Sequence, residues 1–280
     1  MVDMFPYLGL KASTDETQLE ERLQHQPEVF EFYTQASDMT PDGLAHLSQM
    51  IDRVKSAGVD HVIIHHPMAF DHAHNELAVS ALRNPASYQF MMGSTESIIE
   101  LAKARDVQVL VHGAYNAPLS WIKAQFGSLE AGRELVFDRL DYFKALGGNH
   151  VMFENALSPL FRFGEPGFER RIMGHHYRLA YDISHAFIVL HGDNDKLVSS
   201  LARLAPQIVH YHLVDSMGQK HDSLPLGQGN IDWVRVKRVL NPNATNIYEI
   251  TLDDEDNCQA MLDSHNYLKS LDSRSLLVGR

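Results

Sequence analysis

The chain holds one cysteine, Cys258, in 280 residues. An intramolecular disulfide is excluded, and the composition fits a reducing compartment such as the cytoplasm. No apolar run approaches the roughly 18 residues that a membrane-spanning helix needs, so a membrane role is not expected. Basic residues are few: 24 Lys and Arg stand against 36 Asp and Glu, a formal net charge of −12. That field disfavours loose binding to nucleic acid, although it leaves room for a local basic groove. The opening MVDMFPYLGLKAS lacks a basic segment followed by a long apolar core, so it does not read as a signal peptide. Ser/Gly-rich linkers, low-complexity tracts and charge blocks are also missing. Residues 1–280 therefore read as one domain.

What is plentiful is histidine, with 17 residues. Neutral imidazole serves zinc, copper, iron and manganese sites. The plainer reading makes most of His25, His46, His72, His74, His175, His176, His191 and His265 solvated, since they sit in polar segments.

A second pattern is an apolar strand, a polar break and an amphipathic helix, repeated. Strands are expected at 5–12, 28–34, 61–66, 107–112, 150–155, 178–183, 207–214 and 246–250. Thr40 and Pro41 open a helix with Leu44, Leu47, Ile51 and Val54 on one face, and Gly58 closes it. Ser94 is expected to cap the next helix. Further helices are expected near 130–145, 194–204, 231–240 and 253–272. Eight near-continuous apolar strands separated by helices imply a parallel sheet under a helical layer. At this length that is a (β/α)8 TIM barrel. No Gly-rich phosphate fingerprint follows the first strand, which weakens the doubly wound alternative.

Six of these strands end in VIIHHP (62–67), VLVHGAY (109–115), VMFENA (151–156), LAYDISHAF (179–187), IVHYHLVDS (208–216) and IYEITL (247–252). Each carries a His, Glu or Asp after an apolar run. A barrel places such positions together at its C-terminal mouth. The expectation is a ring of metal-type ligands there.

ENALSP (154–159), YDISHAF (181–187), HYHLVDS (210–216), LPLGQGNIDW (224–233) and YEIT (248–251) resemble the xylose-isomerase-like barrel superfamily. The nearest likeness within it is to the endonuclease IV (AP endonuclease family 2) branch. The resemblance implies that His65, His112 and Glu154 hold one metal. It implies that Glu154, Asp182, His212 and Glu249 hold a second, with Glu154 bridging. His185 would serve a third metal or contact substrate. Zinc or manganese fits these donors, one or two ions, with three as the upper bound. At the third-metal position the family's Asp-x-His becomes His221, Asp222 and Ser223. Ser223 is a poor replacement for histidine, while His221 keeps a ligand type. His65 is favoured over His66 by the family register, since strand alternation turns only one inward. His210 reads as a satisfied interior histidine, Lys11 as structural and Asp215 as an orienting carboxylate.

Two functions follow from the resemblance. The first is a divalent-metal-dependent isomerase or epimerase of a small sugar or sugar phosphate. Glu154 and Glu249 would move a proton between adjacent carbons, with His185 on a sugar oxygen. The second is an endonuclease IV-like phosphoesterase. The segments expected to grip DNA, 34–40 and 66–76, contain no Arg, Lys or Tyr. DNA affinity draws heavily on neutralised phosphates, so the first function leads. Arg162, in the loop after the fifth strand, is the candidate for a substrate phosphate. A non-catalytic sugar or metal binder is a third, weaker reading.

Overall fold

The structure is a computed structural model that describes residues 5–275. Residues 1–4, where the leader reading begins, lie outside the described residues. The elements run β1 (Gly9–Ala12), α1 (Glu16–Leu23), β2 (Val29–Tyr33), α2 (Pro41–Ser56) and β3 (His61–His65). A small hairpin follows, β4 (Ala69–Phe70) and β5 (Ala73–His74), then α3 (Pro85–Arg105), β6 (Gln108–His112), α4 (Leu119–Phe126) and α5 (Leu129–Gly147). The chain continues through β7 (Val151–Glu154), α6 (Pro166–Gly174), β8 (Leu179–Asp182), α7 (Ile183–Val189) and α8 (Asn194–Leu204). It finishes with β9 (Ile208–Leu213), α9 (Trp233–Lys237), β10 (Thr245–Tyr248) and α10 (Gln259–Ser275).

Eight strands form one parallel sheet in the order β1-β2-β3-β6-β7-β8-β9-β10. This is the expected (β/α)8 barrel. Its seam lies between β1 and β10. There the Asn246 side chain accepts from the Tyr7 amide at 2.9 Å and donates to the Tyr7 carbonyl at 3.0 Å. The backbones meet so closely that a Cβ on Gly9 would lie 1.8 Å from the Asn246 carbonyl oxygen. Only glycine fits this approach.

Pleating sorts the side chains into layers. Phe30, Phe32, Val62, Ile64, Val109, Val111, Val151 and Phe153 face out and join the main core under the helices. Val29, Ile63, Leu110, Met152, Ala180 and Ile247 face in and make a separate apolar plug. Two residues further along each of these strands stand Glu31, His65, His112, Glu154, Asp182 and Glu249. The polar layer thus sits one pleat step above an apolar floor.

The helix boundaries follow side-chain chemistry. Thr40 accepts from the Gly43 amide at 3.1 Å, and Ser128 from Ala131 at 3.1 Å. Gly58 takes φ +91° just past α2. Ser94 does not cap a helix. It lies buried inside α3, its hydroxyl turned back to the Met91 carbonyl at 3.4 Å. Pro85 at the first turn starts that helix instead.

Candidate metal centre

Glu154 closes β7 and is fully buried. Its two carboxylate oxygens face different partners. Oε2 lies 2.8 Å from His112 Nε2 and 3.6 Å from His65 Nε2. Oε1 lies 3.0 Å from His212 Nδ1. That imidazole nitrogen is also 2.7 Å from Glu249 Oε2 and 4.0 Å from Asp182 Oδ2. His65, His112 and Glu154 therefore make one group with metal-holding spacing, and Glu154, Asp182, His212 and Glu249 make another. Glu154 is common to both.

Both groups gather acceptors with too few donors. His65 Nδ1 bonds the His66 carbonyl at 2.8 Å, so its proton is on Nδ1. His112 Nδ1 bonds the Ala114 carbonyl at 3.3 Å. The two Nε2 atoms then stand 3.1 Å apart beside the Glu154 carboxylate, which raises the His65 pKa against the effect of burial. Such a cluster calls for a cation. The second group shows the same deficit: Glu154 Oε1, Glu154 Oε2 and Asp182 Oδ2 are buried without a hydrogen-bond donor. The donor set suits zinc or manganese at either position.

Charge compensation takes another form in the bare chain. Burial pushes the Glu154 carboxyl up, but His112 and His212 hold it well below the usual range. Burial likewise opposes ionisation of Glu249, and Lys11 and His212 overcome it. Burial lowers His212, yet Glu154, Glu249 and Glu31 raise it well above an ordinary imidazole. A proton on His212 thus occupies the role that a cation would take.

The local sequence explains the placement. Asp182 caps α7: its Oδ1 accepts from the His185 amide at 2.6 Å and from Ser184 Oγ at 2.9 Å. Its Oδ2 is thereby left for the centre. His185 rides on that first turn, and its Nδ1 bonds the Asn155 carbonyl at 2.9 Å. Asp215 is a loop organiser, as its position after β9 suggested. It accepts from the amides of Ser216, Gly227 and Ile231 and from the Trp233 indole at 2.9 Å. The Leu-Gly-Gln-Gly run wraps around it.

His185 and His221 do not join either metal-spaced group. Their rings lie 4.9 Å apart and line the mouth cavity. Ser223 is buried, with φ +42°. Arg162 does not line this cavity. It is ion-paired with Glu165 in its own loop. The loop turns that arginine onto a neighbouring carboxylate, so the structure offers no support for the substrate role.

Two charged residues in the barrel interior carry more than the sequence reading gave them. Glu31, which that reading passed over, is fully buried on β2, with Oε2 3.2 Å from His212 Nε2 and 3.3 Å from His210 Nε2. It holds the far side of His212 and turns Nδ1 toward the centre. Burial opposes its ionisation, but His212 and His210 bring its pKa down to about 2. His210 is supported by Thr245 Oγ1 at 2.7 Å. Lys11, expected to be only structural, places Nζ 3.1 Å from Glu249 Oε1. An acidic residue at an inward position of VFEFY was the available signal for Glu31.

The family model for xylose isomerase-like TIM barrels matches residues 168–271. That stretch is similar to the family, and the chain as a whole has the TIM-barrel fold. The matched part carries Asp182, His185, His212, His221 and Glu249. His65, His112 and Glu154 lie before it. Similar solved barrels include a D-tagatose 3-epimerase-like protein at 18% identity and TM-score 0.69, covering 95% of this chain and 97% of that one. Another is the 3-keto-D-glucoside 4-epimerase YcjR from E. coli, apo form, at 17% identity and TM-score 0.63, with 94% and 98% covered. A Thermus thermophilus protein soaked with ZnCl2 gives 16% and 0.64, with 95% and 98% covered. At such identities the likeness shows the fold. No curated protein matches the chain by sequence.

Proposed function

We propose that this TIM barrel is a divalent-metal-dependent isomerase or epimerase of a small neutral sugar. The observation that carries the reading is the mouth cavity. It has a volume of about 220 Å³ and is lined by His112, His185, His221, Glu249, Tyr115 and Asn116 among others, with no Lys or Arg in its wall. A cavity of that size admits about one sugar ring and no duplex. The missing cations speak against a phosphate group. Two similar barrels, a D-tagatose 3-epimerase-like protein and a 3-keto-D-glucoside 4-epimerase, accord with this chemistry.

Glu154, Asp182, His212 and Glu249 would hold one cation, and His65, His112 and Glu154 a second. A bound cation there would polarise adjacent sugar oxygens and acidify the neighbouring C–H. Of the two glutamates, Glu249 alone reaches the cavity, with 20% of its side chain exposed. Glu154 is wholly enclosed, so its part is to bind cations. Glu249 then moves the proton on one face. Lys11 orients it from behind. His185, anchored through Nδ1, presents its ring to the other side of the cavity.

The test is deuterium exchange. The protein, loaded with Mn²⁺ or Zn²⁺, is incubated with D-tagatose, D-fructose and other neutral ketoses in D2O. Loss of one C–H proton signal, abolished in E249Q, is expected. Unchanged spectra together with Glu249-dependent cleavage of bis-p-nitrophenyl phosphate would overturn the reading. That second outcome defines the alternative, a metal-dependent phosphoesterase. Its favouring observation is the His65–His112–Glu154 group, which a one-metal epimerase does not require.

A further inference from the structure

We infer that the mouth cavity is the inner half of a longer groove, and that its outer half binds the second ring of a neutral disaccharide or glycoside. The inference rests on the sugar reading above and extends it to substrate length. A second cavity, of about 390 Å³, adjoins the first and shares His74 and Asn116 with it. The inner cavity alone falls below the roughly 300–1,000 Å³ usual for small-molecule sites, and the two together fall within it.

The outer cavity has the make-up of a sugar subsite. Trp121 of α4 lines it and is braced edge-on by Phe126 at 5.9 Å. Gln125, one turn along the same helix, lines it as well. Asn84 and Ser87 contribute from the start of α3, where Asn84 precedes the helix without capping it. An indole beside neutral amide and hydroxyl groups suits a ring with an apolar face and hydroxyl edges. No Lys or Arg lines the cavity; the nearby Arg83 donates to Gln125 Oε1 at 3.2 Å and to the Ala124 carbonyl at 3.4 Å.

The one carboxylate in the wall, Glu76, is already engaged. It accepts from the amides of Tyr115 and Asn116 at 2.9 Å and of Ala117 at 3.2 Å. Ser158 fixes the same turn from below, donating to the Ala117 carbonyl at 2.9 Å. Asn116, which borders both cavities, is thus held by a rigid turn. On the other side of the junction, His74 stacks on Tyr115 at 5.3 Å. Tyr115 stacks in turn on His112 at 4.3 Å. A continuous aromatic wall therefore runs from the candidate centre to the outer cavity. Pre-organised walls lower the ordering cost of binding.

The experiment compares D-glucose, D-galactose and D-fructose with maltose, cellobiose, lactose and sucrose, by saturation-transfer NMR on the metal-loaded protein. At least one disaccharide is expected to bind about tenfold tighter than its component monosaccharides. W121A should remove that increment and leave monosaccharide affinity within about twofold. N84A, which touches the outer cavity alone, gives a second reading should W121A fold poorly. Equal binding of mono- and disaccharides, or an increment that survives both variants, overturns the inference while leaving the isomerase reading intact. Binding of no saccharide at all overturns both.

Discussion

His65 Nε2 and His112 Nε2 stand 3.1 Å apart, with each ring's Nδ1 already spent on a backbone carbonyl. Ring nitrogens packed at that distance need positive charge between or beside them, as a proton or as a cation. Glu154 Oε2, 2.8 Å from His112, adds a third acceptor. The pair, with Glu154, has the spacing to hold a cation apart from any held beside His212.

The first prediction concerns stoichiometry. The wild-type protein, dialysed against zinc and analysed by mass spectrometry, should carry two ions per chain. H112N should carry one, with folding unchanged by circular dichroism. Retention of two ions in H112N would refute the second position.

The second prediction concerns Glu31, which touches His212 Nε2 and no part of the cavity. Carboxylates that fix a ligand histidine are worth about 10–100-fold in metal affinity. E31Q should weaken one of the two bound ions by about that factor, measured by chelator competition. The ion at His65 and His112 should be unaffected. Equal weakening of both ions would point to general loosening of the barrel instead.

Much of this was open to sequence reading, and the physical reason is period. Each ligand sits two residues beyond an inward apolar residue, as His65 follows Ile63 and Glu154 follows Met152. The expectation of a barrel with ligands at its mouth drew on strand ends, each a His, Glu or Asp after an apolar run. Glu31 shares the spacing from Val29, but it lies within β2 rather than at the strand's end, so a search of strand ends passes over it. Lys11 gains meaning only beside Glu249, 238 residues away. Arg162 pairs with Glu165 in its own loop, a partner that the sequence reading did not weigh. His74 reads as solvated and is exposed, at the border of both cavities; His265 reads the same way and is buried.

His265 supplies a prediction in pH. It packs against Tyr248, with Nδ1 3.1 Å from the phenol oxygen. Burial, with Lys269 and Lys237 nearby, lowers its pKa to about 4, and the Tyr7 backbone opposes this only in part. The native ring stays neutral from pH 6.5 down to about 4, whereas the unfolded chain takes up a proton. Stability must then fall as pH drops through that window, by at most about 1.4 kcal/mol per pH unit for one proton. In urea titrations H265Q should lose less stability than wild type between pH 6.5 and 4. Parallel pH curves for the two proteins would show that His265 carries no such linkage.

The last prediction tests how the barrel closes. β1 and β10 share no ladder of paired residues; the Asn246 side chain bonds both polar groups of Tyr7 in its place. That bridge requires the strands to stay close at Gly9, where even a methyl group would meet the Asn246 carbonyl oxygen at 1.8 Å. Backbone cannot swing aside as a side chain can, so G9A must part the seam. Overpacking of this kind costs about 1–3 kcal/mol. N246A removes the bridge without crowding and leaves the Tyr7 amide unpaired, while the Tyr7 carbonyl keeps the Gly9 amide at 3.0 Å; it should cost about 1–3 kcal/mol as well. Because Glu249 and Lys11 flank the same seam, both variants should also weaken metal binding at the His212 position. The check is a thermal melt alongside a zinc competition titration. A G9A protein that melts with wild type would mean that the strands do not approach as described.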